Sequence, residues 1–338
     1  MTSRRSFFQK SIGMAGALTL APIMQKALAE DVSDALLSLD KLSPSESVLD
    51  EELWARMAQA YTVSPTILNL NNGGVSPQPK VVQDAVDRYY HLSNEAPTYY
   101  MWQILDKGRE PLRAKLADLA GTSKEEIAIN RNTTEALATV TWGLTLAKGD
   151  EIIMTKQDYP NMIQAWKQKE LRDGIKIKWL NFTLPIENDE QIVNEFINAT
   201  TPKTKIWHIT HMINWTGQIF PVKKLCEEAR KRNIISIVDG AHTFAHMDFK
   251  ISDFNPDYFG SSLHKWLCAP FGTGMLYVKK KTLRAYGHYF RMISHKLQIS
   301  GSSKRWERDP SRPNKLLGRL SIFKMPLGQN EKRSDCAT

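Results

Sequence analysis

The amino-acid sequence predicts an α/β fold built on a largely parallel, buried sheet, and two observations indicate it. Short apolar segments rich in Ile and Val alternate with segments of helical spacing along most of the chain. Several of these apolar segments are nearly uniform, as in strands that are covered on both faces. With 338 residues, 42% of them hydrophobic, the chain is long enough to bury a full-sized core.

The predicted elements are preceded by a polar arm over residues 30–64 and by a loop that begins at Asn71-Asn72-Gly73-Gly74. Helical spacing predicts helices over residues 81–90, 112–120, 134–144, 162–170, 190–198 and 222–232. Short apolar runs predict strands over residues 126–129, 151–155, 175–182, 205–210, 234–239 and 275–278. Thr133 is expected to open the helix over 134–144.

The excess of positive charge is concentrated at one end of the chain. Residues 282–338 contain 12 Lys and Arg against 4 Asp and Glu, a net charge of +8. The remaining residues contain 33 basic and 32 acidic side chains, a net charge of +1. A nucleic-acid-binding groove would distribute its basic residues over the fold. The charge pattern therefore argues against nucleic-acid binding.

The three cysteines, Cys226, Cys268 and Cys336, form neither a CxxC pair nor a paired framework. They therefore say little about disulfides, and no metal site is expected.

The first residues have the pattern of a twin-arginine signal peptide. Arg4 and Arg5 precede a mild apolar run over residues 12–18, and Ala27-Leu28-Ala29 offers a small-residue cleavage site. The alternative is a chance arginine pair before a short helix. The apolar run is too short for a stable membrane span. We expect residues 1–29 to be removed by export through the twin-arginine machinery, giving a periplasmic protein that starts near Glu30.

The strongest chemical signal is Lys265, within Ser261-Ser262-Leu263-His264-Lys265-Trp266 and shortly before Gly272-Thr273-Gly274. Lysine normally lies on a solvated surface, so a lysine in a small-residue turn after a strand is unusual. Burial lowers the pKa of a lysine and makes its amine a nucleophile.

Two segments upstream carry complementary groups. Asp239 ends an apolar strand, and strand ends of open α/β sheets are where ligands bind. A carboxylate there can keep a pyridinium nitrogen protonated. Asn132-Thr133-Thr134-Glu135 opens a helix, whose hydroxyls and free N–H groups can hold a phosphate.

Together these segments resemble the class V aminotransferase family of pyridoxal 5'-phosphate (PLP) enzymes, of PLP fold type I, over roughly residues 65–281. The resemblance implies that Lys265 binds the cofactor covalently and transfers protons, and that Asp239 pairs with the pyridine nitrogen. His242 and Asn214 would contact the phenolic oxygen, and Tyr159 would stack on the ring where many relatives have histidine. The implied phosphate ligands are Thr133, Thr134, Ser262 and His264.

Each residue also has a structural interpretation when it is taken alone. Thr133 could be a plain helix cap, Asp239 a turn former before glycine, Tyr159 a core aromatic residue and His264 a structural histidine. Their joint occurrence in the family's order favours the cofactor site.

The reaction is less constrained. Residues 71–77 and 97–102 resemble the isopenicillin N epimerase-like branch, which implies removal and return of an amino acid's α-proton and a homodimer. A transaminase, a lyase or desulfurase, and a catalytically inactive remnant remain alternatives. A desulfurase requires a mobile nucleophilic cysteine, and none of the three cysteines lies at a suitable position.

After Lys281 both the resemblance and the alternation of helices and strands stop. When the codons of this region are read one nucleotide out of register, the segment around Trp306 gives an amino-acid sequence that resembles the family's continuation. The segment around Met325 does the same. We therefore expect a frameshift near residues 279–281, so that residues 282–338 are a non-native tail and the C-terminal small domain is missing or out of frame. The alternative is a natural basic tail.

Overall fold

The computed structural model describes residues 43–282. Its α-helices are α1 (Pro44–Leu49), α2 (Glu51–Gln59), α3 (Lys80–Glu95), α4 (Pro97–Tyr99), α5 (Arg109–Ala120), α6 (Thr133–Gly143), α7 (Pro160–Asp173), α8 (Asp189–Ala199), α9 (Val222–Lys231) and α10 (Ile251–Phe254). A π-helical turn over Tyr100–Ile104 and two 3-10 turns, Leu105–Gly108 and Lys124–Glu126, complete the helical segments.

Between residues 43 and 282, seven strands form one mixed sheet. They are β1 (Ile127–Asn130), β2 (Glu151–Thr155), β3 (Lys176–Leu180), β4 (Thr204–Thr210), β5 (Ile235–Asp239), β6 (Tyr258–Ser262) and β7 (Gly274–Val278). Their order across the sheet is β1-β7-β6-β5-β4-β2-β3. Strands β3, β2, β4, β5 and β6 are parallel, and β7 runs antiparallel to both of its neighbours. The predicted α/β fold with a mostly parallel sheet is confirmed.

The sheet is covered on both faces. Ile152 and Ile153 are successive residues of β2, and they belong to different buried clusters because side chains alternate along a strand. Helices α6 and α7 contribute residues such as Leu137 and Trp166 to one cluster. Helices α5, α8, α9 and α10 contribute to the other cluster, which includes Phe196 and Leu225. Burial on both faces explains why the central strands are uniformly apolar in the sequence.

One strand and one cap differ from the sequence-based prediction. Strand β6 was expected before Lys265 but without bounds, because its residues Tyr-Phe-Gly-Ser-Ser lack the Ile and Val that mark its neighbours. Helix α6 begins at Thr133 itself, and its N-cap is Asn132, whose side chain accepts a hydrogen bond from the N–H of Glu135. The expectation that Thr133 caps this helix is therefore wrong.

Candidate active site

The parallel strands bring their carboxyl ends to one edge of the sheet, where a cavity of about 620 Å³ lies. Thr210, Asp239 and Ser262 end strands β4, β5 and β6, and all three line this cavity. The sequence-predicted site residues that line it are Thr133, Thr134, Tyr159, Asn214, Asp239, His242, Ser262, His264 and Lys265. The fold thus brings the whole predicted set into one cavity.

Lys265 follows β6 on a turn and is half-buried. Burial lowers the pKa of its amine, and the nearby Asp239 opposes that change. Its Nζ donates a hydrogen bond to Nε2 of His242 over 3.1 Å. Burial, together with the charges of Lys265 and His246, lowers the pKa of His242 to about 4, so the imidazole is neutral and can accept this bond. The arrangement holds an amine close to a neutral base.

Asp239 is a buried carboxyl, with 4% of its surface exposed. Burial raises its pKa, while the hydrogen bond from the N–H of Ala241 and the charge of Lys265 lower it. That hydrogen bond joins the Ala241 nitrogen to Oδ1 over 3.0 Å. The next residue is Gly240, where there is no room for a side chain: a Cβ there would lie 1.9 Å from Cζ of Phe259. The strand end therefore presents a carboxyl held by its own backbone turn.

The N-terminus of α6 is joined to the end of β6. The N–H of Thr133 donates to Oγ of Ser262 over 2.9 Å, and the two hydroxyl oxygens lie 2.8 Å apart. Because Asn132 caps the helix, the Thr133 hydroxyl is available to Ser262 and to the cavity. His264 is oriented by the carbonyl of Thr273, which lies 2.9 Å from Nδ1. First-turn N–H groups and two hydroxyls at one point are a suitable site for an anion.

Tyr159 also lines the cavity, immediately before Pro160 and α7, and 40% of it is exposed. The centroid of its ring is 5.9 Å from Nζ of Lys265. Also at the cavity, Nδ2 of Asn161 donates to Oγ1 of Thr134 over 3.3 Å. A flat ligand placed between Tyr159 and the strand ends would therefore have the amine of Lys265 beside it.

Several groups at this site were not assigned from the sequence. A Cβ on Gly73 would lie 3.1 Å from Cε1 of His242 and 3.5 Å from Cζ2 of Trp266, so the loop at residues 71–74 packs directly on the site. Trp266 and Thr210 line the cavity, and Asp158 bonds to Thr210 behind it. The position of Asp158 next to Tyr159 is the only sequence signal that could have indicated it.

The two described cysteines lie outside the lining of this cavity. Cys226 is buried on α9, and burial raises the pKa of its thiol to about 12. Cys268 is half-buried three residues after Lys265, and Cys336 lies outside the described residues. Between residues 43 and 282 no group of three or more His, Cys, Asp or Glu side chains is arranged to hold a metal ion. In the same range no helix has the length and apolarity to cross a membrane.

The chain is similar in sequence to one protein family and to several known enzymes. The family model described as aminotransferase class-V matches residues 68–312. Isopenicillin N epimerase of Amycolatopsis lactamdurans is 30% identical over 229 residues, which cover 66% of this chain and 57% of that protein. A probable cysteine desulfurase of Halalkalibacterium halodurans is 32% identical over 241 residues, covering 69% of this chain and 58% of that protein. The chain thus spans less than two thirds of the length of these relatives.

Solved structures of the cystine C–S lyase C-DES have a similar fold. Its complex with the reaction product cysteine persulfide has a TM-score of 0.60 at 27% identity, covering 64% of this chain and 58% of that chain. A lysine-to-alanine variant of C-DES with glycine covalently linked to its PLP cofactor has a TM-score of 0.60 at 25% identity, covering 66% and 59%.

Proposed function

Because the chain belongs to the class V aminotransferase family, whose members use PLP, we propose that it isomerises an amino acid by removing and returning the α-proton at Lys265. PLP is the cofactor of this fold type I family and of the structural neighbours. The isomerase activity, by contrast, is inferred from the residues of the cavity and from the epimerase relatives.

The cavity contains a chemically complementary group for each end of PLP. The amine of Lys265 suits the aldehyde, and the buried carboxyl of Asp239 suits the ring nitrogen. The N-terminus of α6, with the hydroxyls of Thr133 and Ser262, suits the phosphate. When bound, the cofactor supplies an electron sink for the electron pair left at the α-carbon.

The residues of the chain supply positioning and proton transfer. Lys265 takes the α-proton because burial lowers the pKa of its amine toward the range of a general base. Neutral His242 holds Nζ in place by accepting its hydrogen bond. With the cofactor bound, the buried carboxyl of Asp239 would hold positive charge at the ring nitrogen, and Tyr159 would cover one face of the ring. Return of a proton to the other face of the α-carbon would complete the isomerisation, and it requires an acid on that face, because Lys265 alone would return the proton to the face it came from.

The observation that carries this proposal is the pairing of a half-buried lysine with a neutral histidine and a buried aspartate in one cavity. The choice of isomerisation is supported by the epimerase-like segments at residues 71–77 and 97–102. The loop at residues 71–74 packs on His242, which puts the first of these segments beside the reacting amine.

An aminotransferase or a lyase of the desulfurase kind is the second candidate. It is favoured by the desulfurase and C–S lyase relatives, which are as similar to this chain as the epimerases. A desulfurase that uses its own thiolate would need an accessible cysteine, and Cys226 is buried with a raised thiol pKa. A third candidate is a truncated remnant without activity.

Incubation with L-amino acids and short peptides in D₂O tests the reaction. Isomerisation predicts deuterium at the α-carbon and appearance of the other stereoisomer, detected by mass spectrometry and chiral chromatography. Nitrogen and sulfur should stay on the substrate. Formation of an α-keto acid with consumption of an added amino acceptor would indicate a transaminase, and release of sulfide and pyruvate from cysteine would indicate a lyase.

Export is a further part of the proposal, and the residues that carry it, Arg4 and Arg5, lie outside the described residues. We propose that the twin-arginine machinery carries the folded, cofactor-loaded protein to the periplasm. Cell fractionation of the wild type and of the Arg4→Lys, Arg5→Lys double variant tests it. The wild type should be processed and periplasmic and the variant retained; a wild-type precursor found only in the cytosol would contradict export.

For the intact enzyme we propose a homodimer, as the family resemblance implies. Light scattering of the cofactor-loaded protein tests it, and a monomeric mass at micromolar concentration would contradict it.

A further inference from the structure

Behind the cavity lies a second buried carboxyl, Asp158, between β2 and α7. Only 3% of its surface is exposed. Its Oδ2 accepts a hydrogen bond from the N–H of Thr155 over 2.9 Å, and its Oδ1 accepts a hydrogen bond from the hydroxyl of Thr210. Among the described residues, no lysine or arginine forms a salt bridge with it. A carboxyl this buried is expensive to ionise without a cation.

Thr210 connects this carboxyl to the site. It is the last residue of β4 and is paired in register with Asp239, the last residue of β5. The N–H of the next residue, His211, donates to the carbonyl of Asp239 over 2.9 Å. Both Thr210 and Asp239 line the cavity. A displacement of the Thr210 side chain would therefore change the wall beside the Asp239 carboxyl.

Asp158 is connected to the site a second time through its own backbone. The following residue is Tyr159, which lines the cavity and whose carbonyl accepts hydrogen bonds from the N–H groups of Met162 and Ile163 in the first turn of α7. The two hydrogen bonds of the Asp158 carboxyl fix the loop that carries Tyr159 to the ends of β2 and β4.

We propose that Asp158 is a positioning residue that sets the place of Tyr159 relative to Asp239 and so fixes the width and alignment of the slot for the cofactor ring. This inference rests on the proposed PLP site. Asp158 does not itself contact the ring. Its carboxyl acts through Thr210 on one side and through the loop that carries Tyr159 on the other.

Substitutions can separate geometry from charge. In Asp158→Asn, the amide can donate to Oγ1 of Thr210 while its oxygen accepts the Thr155 N–H, so both connections survive without the charge. In Asp158→Ala, the Thr155 N–H and the Thr210 hydroxyl both lose their hydrogen-bond acceptor. Thr210→Val removes only the hydrogen bond from Thr210. Thr210→Ser retains the hydroxyl.

Thr204→Val is the matched control. Thr204 is the first residue of the same strand and is also buried, and its hydroxyl bonds to Oε2 of Glu151 over 3.2 Å, at the edge away from the cavity. This substitution removes a comparable hydroxyl-to-carboxylate bond without touching the site.

The readouts are the dissociation constant for PLP and the visible absorption maximum of the bound cofactor. Asp158→Ala and Thr210→Val should weaken PLP binding about tenfold or more, the effect of leaving a buried hydrogen-bond partner unsatisfied, and shift the maximum. Asp158→Asn and Thr210→Ser should stay within about threefold of wild type, and Thr204→Val should match wild type even where its melting temperature falls.

The inference is overturned if Thr210→Val retains wild-type affinity and spectrum, or if Thr204→Val changes both as much as Thr210→Val does. Should Asp158→Ala fail to fold, the comparison of Thr210→Val with Thr210→Ser decides alone. Failure of the wild type itself to bind PLP would instead refute the proposed function, a result distinct from equal binding by all variants.

Discussion

At Lys265, the neighbouring side chains act on the amine in opposite directions. Burial disfavours the ammonium form, and Asp239 favours it. His242 adds a neutral acceptor 3.1 Å from Nζ, which orients the amine without adding charge. A lysine in this setting loses its proton more readily than a surface lysine and keeps a fixed direction, the two requirements for a nucleophile and for a base.

Asp239→Asn should retain PLP binding, more weakly, and lose at least about a hundredfold in turnover, because a neutral amide does not hold positive charge at the ring nitrogen. Steady-state kinetics on the substrate found by deuterium exchange measure this. Asp248→Asn, at an exposed carboxyl nearby in sequence, is the control and should leave turnover unchanged. Wild-type turnover in Asp239→Asn would remove Asp239 from the proposed mechanism.

The buried carboxyl of Asp158 should make the free energy of unfolding depend on pH. Burial, with a contribution from Asp239, raises the pKa of its carboxyl from 3.8 to about 7. The folded state therefore keeps a proton that the unfolded state loses, so the stabilisation is complete below about pH 4 and is lost as the pH rises to about 7. The loss at pH 8 is at most about 4 kcal/mol.

Asp158→Asn lacks this ionisation, so its melting temperature should exceed that of wild type by more at pH 8 than at pH 4. Thermal unfolding of the cofactor-free proteins over that range measures it. The same difference between the two proteins at both pH values would contradict the assigned pKa.

At the scale of elements, the N-terminus of α6 is held against the end of β6 by Thr133 and Ser262. If this junction holds the phosphate, Thr133→Val and Ser262→Ala should weaken the binding of PLP about tenfold while changing the binding of pyridoxal, which has no phosphate, much less. Titrations with both compounds measure the difference. Thr139→Val, on the same helix, is the control. Equal weakening for both compounds would exclude a phosphate site here.

The sequence predicted the bounds of the central strands well, but for β6 it indicated only that a strand precedes Lys265. Strands β2, β4 and β5 lie within one residue of their predicted bounds, because Ile and Val concentrate where a strand is buried on both faces. Strand β6 is buried as completely, yet its small residues are required by its neighbours: a Cβ on Gly260 would lie 2.7 Å from Cδ2 of Leu137. Such a requirement arises from tertiary packing, which local pattern does not contain.

In the candidate site, too, local motifs predicted some residues, and the rest depend on tertiary contacts. Motifs were sufficient to select Lys265, Asp239 and the Thr133 segment, because each chemical group lies at a strand end or helix start. The hydrogen bond from Thr210 to Asp158 joins residues 52 positions apart and has no local signature. The choice of Asn132 over Thr133 as cap is likewise decided by the distant Ser262.

At the scale of the whole molecule, the frameshift stays a prediction, since residues 283–338 lie outside the described residues. The family match ends at residue 312, beyond the boundary expected from the sequence. Sequencing of the gene and transcript across the codons for residues 279–281 tests it. A gained or lost base, with a longer frame behind it, is the expected result; an unaltered run in both would mean that the basic tail is natural.

The described part of the chain exposes large apolar side chains. Helix α3 has no buried residue, and Leu70, Tyr90 and Trp102 are 85%, 70% and 63% exposed. Exposure on this scale favours association. We expect the 338-residue chain to aggregate more readily than the frame-restored chain, as measured by size-exclusion chromatography of both over a range of concentrations. Equal solubility of the two chains would contradict this.

Reduction of the PLP-loaded protein with borohydride, followed by peptide mass spectrometry, identifies the lysine that binds the cofactor. A phosphopyridoxyl group should be found on Lys265, and Lys265→Ala should lose both the modification and the yellow colour. Lys203→Ala, at an exposed lysine before β4, should keep them. Labelling of wild type at another lysine, or undiminished activity of Lys265→Ala, would contradict the assignment of Lys265 as the cofactor-binding base.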